Sequence, residues 1–272
     1  MPRASGGMNW VIQKPGPSLT RVMAGIFAVW LAFAIALNWA DASRNVFYSF
    51  CGNTRAILSG EIWRLLTAPL MHEVQGSIGH ILATMLGLFF LAPSLEERWG
   101  GKRLVRFLYA SAVLSYVFQM LAEFILPASV VTRLIPPFWY GAVPVVEAVV
   151  VAFALTFPGR EVRLFFVLPV TSRALILMTG GFNVLMLIVG ATSPSGTLAL
   201  FGGMASGWLL GGGSPSPLRR AWLRYRLRRL DEEARRDSRP RRARPADWRV
   251  IEGGDARRKR DSDRGSNGGT LH

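Results

Sequence analysis

One cysteine, Cys51, and three histidines, His72, His80 and His272, are all that 272 residues offer of the side chains most used to bind metals and to activate nucleophiles. A single thiol excludes an internal disulfide. Two histidines in one stretch and one cysteine make no ligand cluster of usable spacing, so neither metal nor cofactor is expected. Acids are scarce as well: 17 Asp and Glu face 32 Lys and Arg, a formal net charge of +15, in a chain half of whose residues are hydrophobic. One soluble globule accommodates those figures only if charge and apolarity are segregated. They are. Residues 1–211 hold 14 basic and 8 acidic side chains, whereas residues 212–272 hold 18 and 9. The chain is an apolar body with a basic tail, and no repeat of the solenoid kind runs through it.

Apolar runs recur near 22–40, 78–94, 104–126, 138–157, 174–191 and 196–213. Each approaches the ~20 residues that a helix rising ~1.5 Å per residue needs to cross hydrocarbon. Stretches such as "ILATMLGLFFLAP" and "VVEAVVVAFALTF" have almost no polar face, unlike a soluble core helix, so six spans are expected. The first run follows a twenty-residue, proline-containing leader and is longer than the apolar part of a signal peptide, so it reads as an uncleaved span. Short cationic connections resist translocation. One side of the membrane would carry Arg3, Lys14, Arg21, Arg98, Lys102, Arg103, Arg106, Arg160, Arg163, Arg173 and the whole tail; the other carries Arg44, Arg55, Arg64 and Arg133. Both termini are therefore expected in the cytoplasm, in a membrane of the bacterial plasma type. The 41–77 connection faces outward, and its aromatic and apolar content predicts short helices lying against the membrane surface.

Six segments carry a resemblance: "GEIWRLLTAPLMH" (60–72), "GHILATMLGL" (79–88), "LEERWGGKRLVRFLY" (95–109), "FWYGAV" (138–143), "LFFVLPVTSRAL" (164–175) and "ALFGGMASG" (199–207). In order and spacing they resemble the rhomboid intramembrane serine proteases across residues 22–213. The resemblance implies an all-α polytopic membrane protein, a six-helix bundle with a membrane-associated first outward loop. Its fourth helix would be short and start part-way into the membrane at a water-filled cavity.

The chemistry of that family needs a serine nucleophile, a base to take its proton and donors for the oxyanion. Rhomboids place the serine in Gly-x-Ser-Gly; here the four positions are Phe138, Trp139, Tyr140 and Gly141. The base is a histidine in Ala-His-x-x-Gly-x-x-x-Gly; here Ala199, Gly203 and Gly207 keep the pattern and Leu200 stands at the histidine. A phenol of pKa near ~10 with no imidazole beside it is a poor nucleophile toward an amide. On the oxyanion side His80 matches the family's histidine, Thr84 replaces its asparagine one turn on, and Gly141 is kept. A relocated dyad would have to draw on His72 or His80 with Ser77, Ser195 or Ser206. Ser206 reads as a small packing residue, and Ser77 and Ser195 as cap or loop residues.

Scaffold positions survive. Trp63 and Arg64 match the pair that the resemblance assigns to holding the outward loop, and Glu96, Arg98 and Gly100 match the turn after the second span. Gly203 and Gly207 on the sixth span suit close helix packing, with Gly141 and Ala148 as the small surface opposite. Glu147 belongs to this chain and not to the motifs. Seven residues below Tyr140 on the same helical face and deep in the fourth span, it is costly unless neutralised or hydrogen-bonded, with Asn183 the candidate partner in an intramembrane polar site. Phe138, Trp139 and Tyr140 are expected to fill the cavity with aromatic rings, the Tyr140 hydroxyl pointing toward His80 or outward-loop backbone groups.

The segment "PLRRAWLRYRLRRLDEEARR" (217–236) spaces Leu223, Leu227 and Leu230 helically among arginines, which reads as a juxtamembrane amphipathic helix (214–236) on anionic lipid. Residues 237–272, poor in apolar groups, read as a disordered tail, and residues 1–21 as a cytoplasmic leader. Nine acids among the tail's arginines argue against nucleic acid as the partner. The expectation is a rhomboid-fold pseudoprotease that binds transmembrane segments of client proteins without cleaving them; the alternative is a divergent rhomboid endopeptidase.

The topology is testable directly. On a Cys51→Ser background, single cysteines near residue 130 should react with an impermeant maleimide from outside and those near residue 220 only from inside. The opposite labelling at either place contradicts the orientation.

Overall fold

The computed structural model describes residues 13–76, 78–164, 168–211 and 217–237. Two compact units divide the chain, Met1–Leu223 and Arg224–His272. The first contains α1 (Pro17–Trp39), the short helices α2 (Arg44–Phe50), α3 (Thr54–Leu58) and α4 (Arg64–Thr67) with a 3-10 turn at Ala68–Leu70, then α5 (Gly79–Trp99), α6 (Gly101–Ile125), α7 (Ala128–Leu134), α8 (Val143–Thr156), α9 (Ser172–Val189) and α10 (Thr197–Gly211). A helix α11 (Pro217–Asp237) follows. In the second unit the described residues, Arg224 to Asp237, continue that helix, and Tyr225, Leu227 and Leu230 are all more than half exposed along it. The leader up to residue 12 and the tail beyond residue 237 lie outside the described residues.

Four helices, α1, α5, α6 and α9, are long and apolar enough to cross a membrane. The other two of the six apolar runs are shorter than their sequence extent suggests: α8 has 14 residues and α10 has 15. At ~1.5 Å per residue α8 is about 21 Å long, short of the roughly 30 Å of hydrocarbon. The reason is local. Pro136 and Pro137 precede "FWYGAV", Gly141 takes φ +113°, and Pro144 sits in the first turn of α8, so the helix cannot extend back through residues 138–142. Trp139 instead exchanges both backbone hydrogen bonds with Gly52, at 2.8 and 3.0 Å. Tyr140 therefore does not share a helical face with Glu147, contrary to the sequence expectation.

A second departure from an all-helical reading lies between α8 and α9. Strands β1 (Glu161–Leu164) and β2 (Leu168–Thr171) pair antiparallel, Glu161 opposite Thr171 and Leu164 opposite Leu168. The Ser172 hydroxyl closes this connection by donating to the Phe157 carbonyl at 2.9 Å and accepting the Gly159 amide at 3.1 Å.

The core is organised around α8, ten of whose residues are buried. α10 crosses it at backbone contact. A Cβ at Gly203 would overlap the Pro144 carbonyl, one at Gly207 the Ala148 carbonyl, and one at Gly211 the Ala152 side chain. Three glycines four residues apart form one stripe, so α10 lies on the α8 backbone at Gly203 and Gly207 and on the small Ala152 side chain at Gly211. Gly141, offered by the sequence as part of this surface, faces His80 instead. At the base, Glu96 is buried and its Oε1 accepts the Ser18 and Leu19 amides at 3.0 and 3.3 Å, satisfying free N–H groups at the start of α1. Gly100, at φ +83°, ends α5 and starts α6 in one residue; Arg98 is exposed beside it.

The 41–76 connection is held together internally by Arg64. Its guanidinium is buried, donates to the Tyr48 and Cys51 carbonyls at 2.6 and 2.8 Å, and pairs with Glu61 at 2.6 Å. Trp63, its sequence neighbour, is 49% exposed and contributes no such anchor.

The stripe predicts a graded response. Gly207→Val should cost roughly 1–3 kcal/mol of overpacking. Gly181→Ala, where a new methyl meets nothing within 4 Å, should stay within about 0.5 kcal/mol. Thermal denaturation of detergent-purified variants measures both; equal midpoints would contradict the backbone contact.

Candidate functional site

The turn 138–142 and three neighbouring segments build the site: the 71–76 connection, the first turns of α5, and the loop before α10. Ser195 in that last loop is fully buried, and its hydroxyl donates to the Tyr140 carbonyl at 2.9 Å. Tyr116 on α6 is also fully buried and donates to the Gly141 carbonyl at 2.6 Å.

The three aromatic residues of the turn diverge, which corrects the expectation that all three fill one cavity. Phe138 is 38% exposed and stacks on Tyr48 at 4.9 Å. Trp139 is buried in a separate cluster against Tyr116, with ring centroids 4.3 Å apart, a pairing worth about 0.5–1.5 kcal/mol beyond area. Tyr140 alone turns toward the histidines, edge-on to His80 at 6.0 Å and to Phe47 at 5.3 Å. Its hydroxyl donates to the Glu73 carboxylate at 2.6 Å, and not to His80 or to loop backbone as the sequence suggested. The phenol's proton is thus held by the carboxylate, while its oxygen keeps the capacity to accept.

Both histidines are fixed as neutral rings by their partners. The His80 Nδ1 accepts the Glu73 amide at 3.3 Å, which leaves the ring proton on Nε2. That Nε2 is buried with no partner among the described residues, and it lies 2.5 Å from where a Cβ on Gly141 would stand. Ser195 Oγ lies 3.1 Å from the same point. His72 is completely buried, its Nδ1 3.2 Å from the Leu70 carbonyl and its Nε2 3.1 Å from the Thr84 hydroxyl and 3.4 Å from the Ala142 amide. A carbonyl accepts only, so Nδ1 carries the proton and Nε2 accepts. Burial, and secondarily His80, hold His72 down at about 3. The Thr84 hydroxyl is shared with the His80 carbonyl 3.2 Å away.

Acyl transfer needs free donors where an oxyanion would form. In this turn they are used internally: Tyr140 N–H donates to Pro194 O and Gly141 N–H to Ala68 O, both at 2.9 Å, and Ala142 N–H to His72. Leu200, buried on α10, brings no polar atom, and the neighbouring Ala199 amide donates to the buried Gln119 side chain at 3.1 Å. Ser206 bonds within its own helix, to Gly203 O at 2.8 Å, while Ser77 lies outside the described residues. Among the described residues no three His, Cys, Asp or Glu side chains converge as metal ligands.

Glu147 and Asn183 are both buried, at 8% and 1% exposure, away from the turn. Asn183 interacts with the Glu147 carboxyl and donates to the Met204 sulfur at 3.6 Å. Glu147 Oε2 and Asn183 Oδ1 have no hydrogen-bond partner among the described residues.

Sequence reasoning undervalued His72, Glu73 and Ser195. The three lie in connections, where no periodicity signals burial; the one clue was that His72 and His80 are the body's only imidazoles.

With this geometry in view, comparison with known proteins places the chain. A family model described as Rhomboid domain matches residues 59–213, more than half of the sequence, and the chain belongs to the rhomboid family. With its apolar spanning helices it is an integral membrane protein. It is 25% identical over 186 residues to RHOMBOID-like protein 12, mitochondrial, of Arabidopsis thaliana, covering 66% of this chain and 52% of that protein. It is also 25% identical over 107 residues to the putative rhomboid protease YdcA of Bacillus subtilis (strain 168), covering 39% of this chain and 51% of that one. The matches thus span about half the length of these relatives.

The neutral, buried His72 gives a pH signature. Above its unfolded value near 6.5 both states are uncharged. Below it the unfolded chain takes up a proton that the folded ring refuses, so stability falls by up to about 1.4 kcal/mol per pH unit toward pH 3. His72→Gln should flatten that fall. Thermal midpoints at pH 7.5 and 4.5 test it; an equal loss in both proteins contradicts a buried neutral ring.

Proposed function

We propose that this rhomboid-family protein is a pseudoprotease that engages transmembrane segments of client proteins without cleaving them. The observation carrying this reading is the bond from Tyr140 to Glu73. At the family's nucleophile position stands a neutral phenol whose proton is committed to a carboxylate at 2.6 Å, while Leu200 occupies the base position. The turn's internally bonded amides and the erosion at Thr84 support the same conclusion.

For a client surface, α9 is the candidate. It buries only Ser172, Leu175 and Asn183, and presents Leu177, Phe182, Leu185 and Ile188 at 53–76% exposure. A helix this loosely seated yields most easily to a competing apolar helix, on the face toward α5 that the family resemblance implies for substrate entry. We also propose that both termini are cytoplasmic and that α11 rests on the anionic leaflet, from the Lys/Arg distribution and the exposed Leu227 and Leu230 row. The competing reading, a divergent endopeptidase, draws on one observation: Ser195 Oγ and His80 Nε2 flank Gly141. Against it, the Ser195 hydroxyl gives its proton to a carbonyl and not to an imidazole.

Purified protein in lipid nanodiscs should show no labelling by a fluorophosphonate probe and no cleavage of a transmembrane substrate. Labelling that disappears in Ser195→Ala would falsify the proposal and establish the endopeptidase.

A further inference from the structure

An apolar opening in the described part of the bundle reaches the turn only at Ala142. A groove of about 420 Å³ runs between α1 and α6, a volume within the range of small-molecule sites. α1 contributes Val22, Gly25, Ile26 and Val29 to its walls, and α6 contributes Val105, Leu108 and Ala112. Leu88, Val145 and Ala142 form the floor, and Pro69 and Leu70 close the far end. Ser18, Arg21 and Tyr109 stand at the near end, Arg21 and Tyr109 both exposed.

Gly25 gives this groove its meaning. Several helix glycines have a packing reason: a Cβ at Gly87, Gly203, Gly207 or Gly211 would overlap a neighbouring helix, whereas Gly25, like Gly181 on α9, has none. At Gly25 a Cβ would meet nothing within 4 Å. A glycine in the middle of a helix is unfavourable relative to alanine, and here the space it leaves is the groove itself.

The one charged side chain lining the groove, Arg21, is basic. The adjoining start of α6 adds Lys102 and Arg106, both exposed, with the Arg106 Nε donating to the Lys102 carbonyl. The acid nearest by packing, Glu96, is turned onto the Ser18 and Leu19 amides. An exposed arginine, two hydroxyls and further basic side chains suit a phosphate. From Arg21 to Val29 the helix rises about 12 Å, close to the depth of one leaflet of a hydrocarbon core roughly 30 Å thick.

We propose that this groove is a binding site for one anionic phospholipid, its phosphate at Arg21 and one acyl chain lying along Gly25 toward Leu70 and Ala142. The site is independent of whether the turn cleaves, since none of these residues supplies the family's catalytic positions. It does reach the turn's supports: Leu70 O and Ala142 N both hold His72.

Native mass spectrometry of protein released from nanodiscs of equimolar palmitoyl-oleoyl phosphatidylglycerol and phosphatidylcholine tests the proposal. The wild type should retain one phospholipid, phosphatidylglycerol by at least five-fold. Gly25→Leu fills the groove without a clash and should reduce the adduct at least five-fold; Val105→Phe fills it from the other wall and serves if Gly25→Leu melts early. Arg21→Gln should retain an adduct with the headgroup preference lost. An adduct unchanged in both filling variants overturns the site, a preference unchanged in Arg21→Gln overturns the phosphate contact, and displacement by an apolar transmembrane peptide assigns the groove to a client helix instead.

Discussion

Where α10 crosses α8, Gly203 and Gly207 meet the Pro144 and Ala148 carbonyls with only hydrogens between, Gly211 meets the Ala152 methyl, and much of the molecule takes its position from that contact. Inside a membrane, burying apolar surface gives no advantage over lipid, so helices associate through dispersion at close range and through a few polar contacts. Glycine maximises the first. Because the stripe fixes α10 against α8, it fixes Leu200 at one end and leaves the loop with Pro194 and Ser195 above the turn, where they bind Tyr140 from both backbone sides. The turn is short, strained at Gly141 and without a helix of its own. It is defined by these neighbours.

Polar groups do the remaining positioning, and each is matched to a backbone demand. Arg64 satisfies two carbonyls of the 41–76 connection, Glu96 two amides of α1, and Gln119 one amide of α10. In a region without water such bonds have no substitute, which accounts for buried charge in a chain short of acids. The Tyr140–Glu73 pair is of another sort. It joins two side chains, satisfies no backbone, and occupies the place where a reaction centre would need freedom of movement.

The sequence conveyed the helical bundle because apolar run length and motifs at fixed spacing report directly on the helices that build it. It also conveyed the motif losses at Tyr140 and Leu200, since those are identities at fixed spacing. It failed where geometry depends on a few dihedrals. Residues 138–142 look as apolar as the helix they precede, so nothing in composition announced that Pro137, Gly141 and Pro144 would hold them outside it. For the same reason Phe138, Trp139 and Tyr140 appeared to share a cavity, when an extended backbone sends successive side chains in different directions. The β1–β2 hairpin was hidden inside a stretch read for its arginines alone.

The attachment of α1 to the 41–76 connection has a consequence for how the chain is divided. The Trp30 indole donates to the Glu73 carbonyl at 2.8 Å and the Asn38 amide to the Val74 carbonyl at 3.2 Å, so the first helix acts as a strut beneath the segment that carries Tyr140's partner. The rhomboid match begins at residue 59. A fragment cut at that limit would keep every motif residue of the family and lose the strut, the Arg64 acceptors at Tyr48 and Cys51, and the helix that buries Leu19 and Ile26 in the core. The unit recognised by sequence is thus smaller than the unit that holds its own centre in shape.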